Sequence, residues 1–239
     1  MVIQAEATYH GTIDFLIFYK RGGRNCVRVV PEKVRQNDAT KASARLFGKA
    51  SKSAAVIRKK LATIIPFPDD ISMQTQFTSV LFQWVKANVP FERTRIKKLN
   101  LIRNFQFTTT GPSFARRCKI KPKVSLLPED QLQILIPSFI PEKSIVAPAK
   151  TISVRLKVVL VSCKVETGKT TGSNKIEFDF PYDTTKVGEQ IYSLKLPVPK
   201  GSLLLAGATL EYRVKNLRTD FVYRKKSFIP AAIISAVYI

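Results

Sequence analysis

The sequence is poor in the side chains that carry acid–base, redox and metal chemistry. Among 239 residues there is one histidine, His10, and there are three cysteines, Cys26, Cys118 and Cys163, widely spaced and without a Cys-x-x-Cys pair. A His/Cys metal site needs three or four such ligands close together, so neither a metal nor a cofactor is expected, and a histidine general base has little to pair with. Scattered cysteines in odd number suit reduced thiols better than a disulfide framework. Acids are scarce too, 17 Asp and Glu against 40 Lys and Arg. No uncharged apolar run reaches the roughly 20 residues that span a bilayer as a helix. The opening MVIQAEATYHGTIDF lacks a charged segment followed by an apolar core, so the expectation is a protein without a secretory signal, in the cytoplasm or inside a particle assembled there. These shortages together point away from an enzyme.

What is present is apolar material for a core, 45% of residues, and a formal net charge of +23 with a pI near 10.2. Such an excess calls for a polyanionic partner: nucleic acid first, an acidic protein surface second, an anionic membrane surface third. The charge is uneven along the chain. Residues 1–123 hold 24 basic and 7 acidic side chains, net +17, whereas 124–239 hold 16 and 10, net +6. The partner-binding surface is therefore expected in the N-terminal half. Pro122, Pro128, Pro137, Pro141 and Pro148 then disfavour helix, so 124–150 reads as a proline-rich connector between a basic 1–123 region and a 151–239 domain, with QLQILIPSF (131–139) able to pack along a neighbour.

The N-terminal region reads as a β-hairpin followed by basic amphipathic helices. Thr12–Lys20 is rich in β-branched and aromatic residues, Gly22-Gly23 supplies a turn, and NCVRVV returns. Both sides of that first strand are apolar, and the helix that follows is a candidate cover. The helix is expected over Asp38–Ile64, capped by Asn37 or Asp38. Ala39, Ser43, Leu46, Ala50, Ala54, Ile57, Leu61 and Ile64 share one arc. Lys41, Arg45, Lys52 and Lys59 lie opposite, within about 40° of one another, and Lys49 adds a further cation beside them. No acid occurs from Ala39 to Pro68, so cations four residues apart repel where an ordinary solvated helix alternates signs. That unopposed row is the first candidate site for phosphate.

A second helix is expected over Ser72–Ala87, with Met73, Phe77, Val80, Leu81, Trp84 and Val85 as its core face; the sharper reading of Trp84 is a base-stacking platform. Two further basic sets follow. Arg93, Arg95, Lys97 and Lys98, with Arg103, surround Ile96, Leu99 and Ile102 in a potential short helix. Arg117, Lys119, Lys121 and Lys123 occupy alternate positions, which in an extended chain places four cations on one side and Cys118, Ile120 and Val124 on the other.

From Ile152 onward the sequence reads as strands divided by Gly, Pro, Asn and Asp turns, the pattern of an immunoglobulin-like antiparallel β-sandwich. KIEFDF alternates apolar and charged residues over 175–180, and the uncharged tail after Lys226 reads as a buried last strand or as an edge for another subunit. Overall the fold class is α+β. Cys163 to Thr170 (CKVETGKT) resembles a phosphate-binding loop with its first glycine replaced, but such a loop must open a helix, and here an alternating strand follows. No helix-turn-helix, zinc-finger, RRM or KH signature appears, so base-specific readout is not expected.

The stretch from Gly11 to Arg28 (GTIDFLIFYKRGGRNCVR), followed by Pro31, KVRQ at 33–36 and an Ala-rich basic helix, resembles the opening of an uncharacterised family of basic proteins from Bacteroidota and their phage-like elements. The likeness runs to about residue 60 and carries no chemical site. It implies a β-rich C-terminal half and a structural or assembly component of a virion-like or other large particle.

Overall fold

A computed structural model describes residues 2–5, 8–32, 37–89, 91, 96–109, 111–215, 220–223, 225 and 228–239, with side chains from His10 onward. In chain order these form β1 (Val2–Ala5), β2 (Thr8–Ile13), β3 (Leu16–Arg21), β4 (Arg24–Val29), α1 (Asp38–Lys60), α2 (Ile71–Asn88), α3 (Leu99–Arg103), α4 (Phe114–Arg117), β5 (Lys123–Leu127), β6 (Gln131–Ile136), α5 (Pro141–Ser144), β7 (Thr151–Lys164), β8 (Lys169–Pro181), β9 (Gln190–Lys195), β10 (Ser202–Lys215), β11 (Asp220–Tyr223) and β12 (Ala231–Tyr238). The fold is mixed α and β with antiparallel sheets, most of them in the C-terminal half. Two compact units emerge, residues 1–43 and residues 44–239, so the dividing line lies inside α1, well before Lys123.

The first unit is a four-stranded antiparallel sheet in the order β1-β2-β3-β4. Its register sets Ile13 opposite Leu16, Leu16 opposite Val29 and Phe18 opposite Val27, which collects apolar side chains on one face. That face is open: Val27 is 54% and Val29 63% exposed, and Phe15 in the β2–β3 turn is 64% exposed. The other face pairs Ile17 with Arg28, Tyr19 with Cys26 and Arg21 with Arg24, and the Arg28 guanidinium stands 5.7 Å from the Tyr19 ring centre.

The second unit is layered, and β7 and β10 explain why. Both are 14 residues long and pair antiparallel from Ser202 opposite Lys164 to Val214 opposite Thr151. Val154, Leu156, Val158 and Leu160 point one way and Val159, Val161 and Cys163 the other, and all seven are buried. A strand apolar on both faces needs two covers. One is the three-stranded sheet β5-β6-β9, whose Leu132, Ile134 and Ile136 meet Leu156, Leu160, Leu204 and Leu210 in one core. The other is the helical layer, where Ala50, Ala54, Ile57, Leu61 and Ile64 join Met73, Phe77, Leu81 and Trp84 over Val159, Val161, Leu203 and Leu205. The apolar arc of α1, read from sequence as a possible cover for the N-terminal strands, is thus buried in the second unit, against β10 and α2. Close approach is possible because Gly207, at a bulge in β10, has no side chain where Ile64 sits.

β8 lies outside β7, and β11 and β12 share the far side of β10. Segment 124–150 is part of this core: Pro128 falls in the β5–β6 turn, Pro137 directly after β6 and Pro141 at the first position of α5. Proline there ends strands or starts a helix without removing a ladder hydrogen bond, so a dense run of prolines coexists with two paired strands.

A candidate polyanion interface on one helix and one extended segment

α1 starts where Asn37 Oδ1 accepts the Thr40 N–H at 2.7 Å, with Asp38 in the first turn. Within the second unit its outward arc carries Arg45, Lys49, Lys52 and Lys59, all exposed, opposite the fully buried Ala50, Ala54 and Ile57. Lys41 is also exposed; it belongs to the first unit and stands 3.4 Å from Asp38, an exposed pair of little energetic weight. Arg58 departs from this row: it turns toward α2, donates to Thr78 Oγ1 at 3.4 Å, and burial lowers its pKa.

The arc is fixed in place from behind. Ser53 Oγ donates to the Val165 carbonyl at 3.2 Å, and the stem of Lys52 lies across Gly168, where a Cβ would stand 2.8 Å from Lys52 Cγ. Gly168 has φ +65°, a left-handed conformation that favours glycine as well. The sequence CKVETGKT is therefore the turn joining antiparallel β7 and β8, with the Gly168 N–H donating to the Lys164 carbonyl at 2.9 Å, and its glycine answers to α1 packing.

The second set divides. Lys119, Lys121 and Lys123 are exposed while Cys118 and Ile120 are buried and Val124 half-buried, the alternation expected of an extended chain. Arg117 breaks from it: it ends α4, is half-buried, and its guanidinium stacks 4.0 Å over the Phe228 ring. Lys97 and Lys98 are exposed next to the short α3, with the Lys97 N–H held by Asn88 Oδ1 at 2.7 Å. Arg93 and Arg95 lie outside the described residues. Arg103, grouped in the sequence with Lys97 and Lys98, instead donates to the Ala236 carbonyl at 3.2 Å and lines the same groove as Lys119 and Lys121. Only the return of β12 beside α3 creates that neighbourhood, so no local pattern signals it.

The electrostatic contrast lies in the carboxylates. On the central sheet Arg155 grips Asp179 at 2.6 Å, Lys157 meets Glu211 at 2.6 Å, and Lys175 meets Glu177 at 3.3 Å. The Arg155 hydrogen bonds hold the Asp179 carboxyl below its ordinary range. Among the described residues, none of Arg45, Lys49, Lys52, Lys59, Lys119, Lys121 or Lys123 has a carboxylate within 4 Å. Exposed cations without such partners are the kind that contact phosphate.

Trp84 is fully buried, its ring 5.5 Å from Phe91 and 5.7 Å from Tyr238, so it serves the core and presents no stacking platform. Burial pushes the Cys118 thiol up to about 12 and Cys163 to about 11, leaving both protonated at neutral pH. Among the described residues no three His, Cys, Asp or Glu side chains are grouped to hold a metal ion, and no described helix is long and apolar enough to cross a membrane. Comparison of the chain with protein-family models, with curated proteins and with solved structures gives no match.

Proposed function

We propose that this chain is a non-enzymatic structural or assembly protein that holds nucleic acid through its phosphate backbone, without sequence choice. The observation that carries the reading is the cationic arc of α1, Arg45, Lys49, Lys52 and Lys59, with no carboxylate within 4 Å among the described residues, beside a sheet on which Arg155, Lys157 and Lys175 are paired with acids. Phosphate contacts of this kind give affinity and strong salt dependence. Lys119, Lys121 and Lys123 form a second cationic row on the same unit. The scaffold that goes with this reading is a β3–β4 hairpin, basic helices and an immunoglobulin-like sandwich; two antiparallel sheets around one core support the sandwich. The open apolar face of the first unit supports the assembly part, since a subunit that packs against further copies in a virion-like or other large particle presents such a face.

Binding of a mixed-sequence DNA duplex and of single-stranded RNA, measured as log K against log salt, tests the reading. Changing Arg45, Lys49, Lys52 and Lys59 together to Gln is expected to reduce the duplex slope by as much as about 3.6, since each lost phosphate contact removes roughly 0.9. An unchanged slope overturns the helix arc as the site. Absence of binding to either nucleic acid at low salt overturns the partner and leaves an acidic protein surface as the reading.

A further inference from the structure

A groove of about 740 Å³ opens on the flank of the second unit, between β12 and the extended segment 118–122. Its floor is apolar, with Phe114, Ile120 and Ile234, and its mouth carries Arg103, Lys119 and Lys121. Among the described residues no acidic side chain lines it. The size lies in the range of pockets that enclose small organic ligands.

Two kinds of occupant do not fit this groove. An added β-strand needs free backbone groups, and those of the walls are largely engaged. The Ile233 N–H donates to Phe105 O at 2.9 Å, Ala231 O accepts from the Phe107 N–H at 2.7 Å, Ala236 O holds Arg103, and the Lys119 N–H donates to Ser144 O at 2.8 Å. Even Gln106 is committed, accepting the Phe114 N–H at 2.9 Å and donating to Asn104 O at 3.1 Å. A nucleic-acid backbone, charged along its whole length, gains nothing from Phe114, Ile120 and Ile234. What the groove offers is apolar burial at depth and positive charge at the rim.

We propose that this groove binds a single-chain anionic amphiphile, with its apolar tail on Phe114, Ile120 and Ile234 and its carboxylate at Lys119, Lys121 and Arg103. The site is independent of the α1 arc.

Calorimetric titration of the full chain with monomeric sodium dodecanoate tests it. One equivalent is expected to bind, at least about tenfold more tightly than 1-dodecanol, while acetate does not bind. Each two methylenes removed from the tail are expected to weaken binding by about tenfold, the fold-change that follows from burying them. Lys119→Glu with Lys121→Glu lowers the affinity at least about tenfold. Ala115→Trp, at an exposed position on the groove wall, abolishes binding with the circular dichroism spectrum unchanged. Equal binding of dodecanol, indifference to tail length, several equivalents bound, or full binding to the folded Ala115→Trp chain each overturns the proposal. So does binding to phosphatidylglycerol vesicles with none to dodecanoate, which would make this face a membrane contact. Loss of nucleic-acid binding in the α1 variant leaves these results untouched, so the two readings fail separately.

Discussion

The sheet of residues 2–29 and the central sheet of residues 151–238 are built from similar strands, yet they end in opposite states. In the second, Leu156, Leu160, Leu205 and Leu210 are fully buried because sheet and helices cover both faces. In the first, Val27 and Val29 are as apolar and largely exposed. Coverage, not strand composition, decides whether an apolar face becomes core or contact surface. Charge divides within the second unit: Arg155, Lys157 and Lys175 on the central sheet meet carboxylates, whereas among the described residues the outward arc of α1 meets none.

The difference between the sheets shows most strongly in a truncation made in both. Leu205→Ala is expected to cost about 2–5 kcal/mol, and Val27→Ala no more than about 0.5 kcal/mol, by urea unfolding followed with circular dichroism. Similar losses at both positions would mean that the first sheet is covered after all. Filling the helix–sheet contact comes next. Gly207→Val places two methyl groups against Ile64 and Leu61, and is expected to cost about 1–3 kcal/mol with a matching change in Trp84 fluorescence.

The buried thiols sharpen the comparison through pH. Their folded pKa values lie above the ordinary 9.0, so the folded state holds protons that the unfolded chain releases. Their contribution is complete below pH 9 and is lost as pH rises, from 9 to about 11 for Cys163 and to about 12 for Cys118. Each is expected to withdraw on the order of 1 kcal/mol by pH 10, measurable as a fall in unfolding free energy that is smaller by about that amount in the Cys118→Ala and in the Cys163→Ala variant. At pH 8 a disulfide reagent should label the half-buried Cys26 of the first sheet well before Cys118 or Cys163.

The smallest effects separate paired from unpaired cations. Glu211→Ala leaves Lys157, only 15% exposed, without its partner and is expected to cost about 1–2 kcal/mol. Arg45→Ala relieves repulsion along α1 and should be neutral or stabilising by a few tenths of a kcal/mol at low salt, an advantage that fades as salt rises.

Much of this was legible locally, because local patterns report which face is wet. KIEFDF alternates as read, with Ile176 and Phe180 in the core and Lys175, Glu177 and Asp179 outward, and the apolar spacing of α2 places Met73, Phe77, Leu81, Trp84 and Val85 inside. β10 is harder to read. Its first half, SLLLAG, is buried on both faces, which erases the period of two, and has no β-branched residue to mark a strand. The layering was illegible for a different reason: α1 packs on strands about a hundred residues further on, and no spacing within the helix names that partner. Arg117 fits the alternation of its neighbours, yet it ends α4 and stacks on Phe228 from the far end of the chain. Arg45, Lys49, Lys52 and Lys59 are exposed as the helical spacing leads one to expect, while the groove that joins Arg103 to Lys119 and Lys121 exists only once β12 has returned.

The burial of α1 is lopsided. Its fully buried residues begin at Ala50; before that, from Ala44 to Lys49, only Leu46 is half-buried, while Arg45 and Lys49 repel across one turn. A helical stretch held so lightly by packing is marginal in water. A bound anion would remove the repulsion and protect those amides from exchange with deuterium, while the amides beyond Ile57 would barely change. The early turns of α1 thus make the backbone itself a gauge of occupancy, readable residue by residue without any label on the partner.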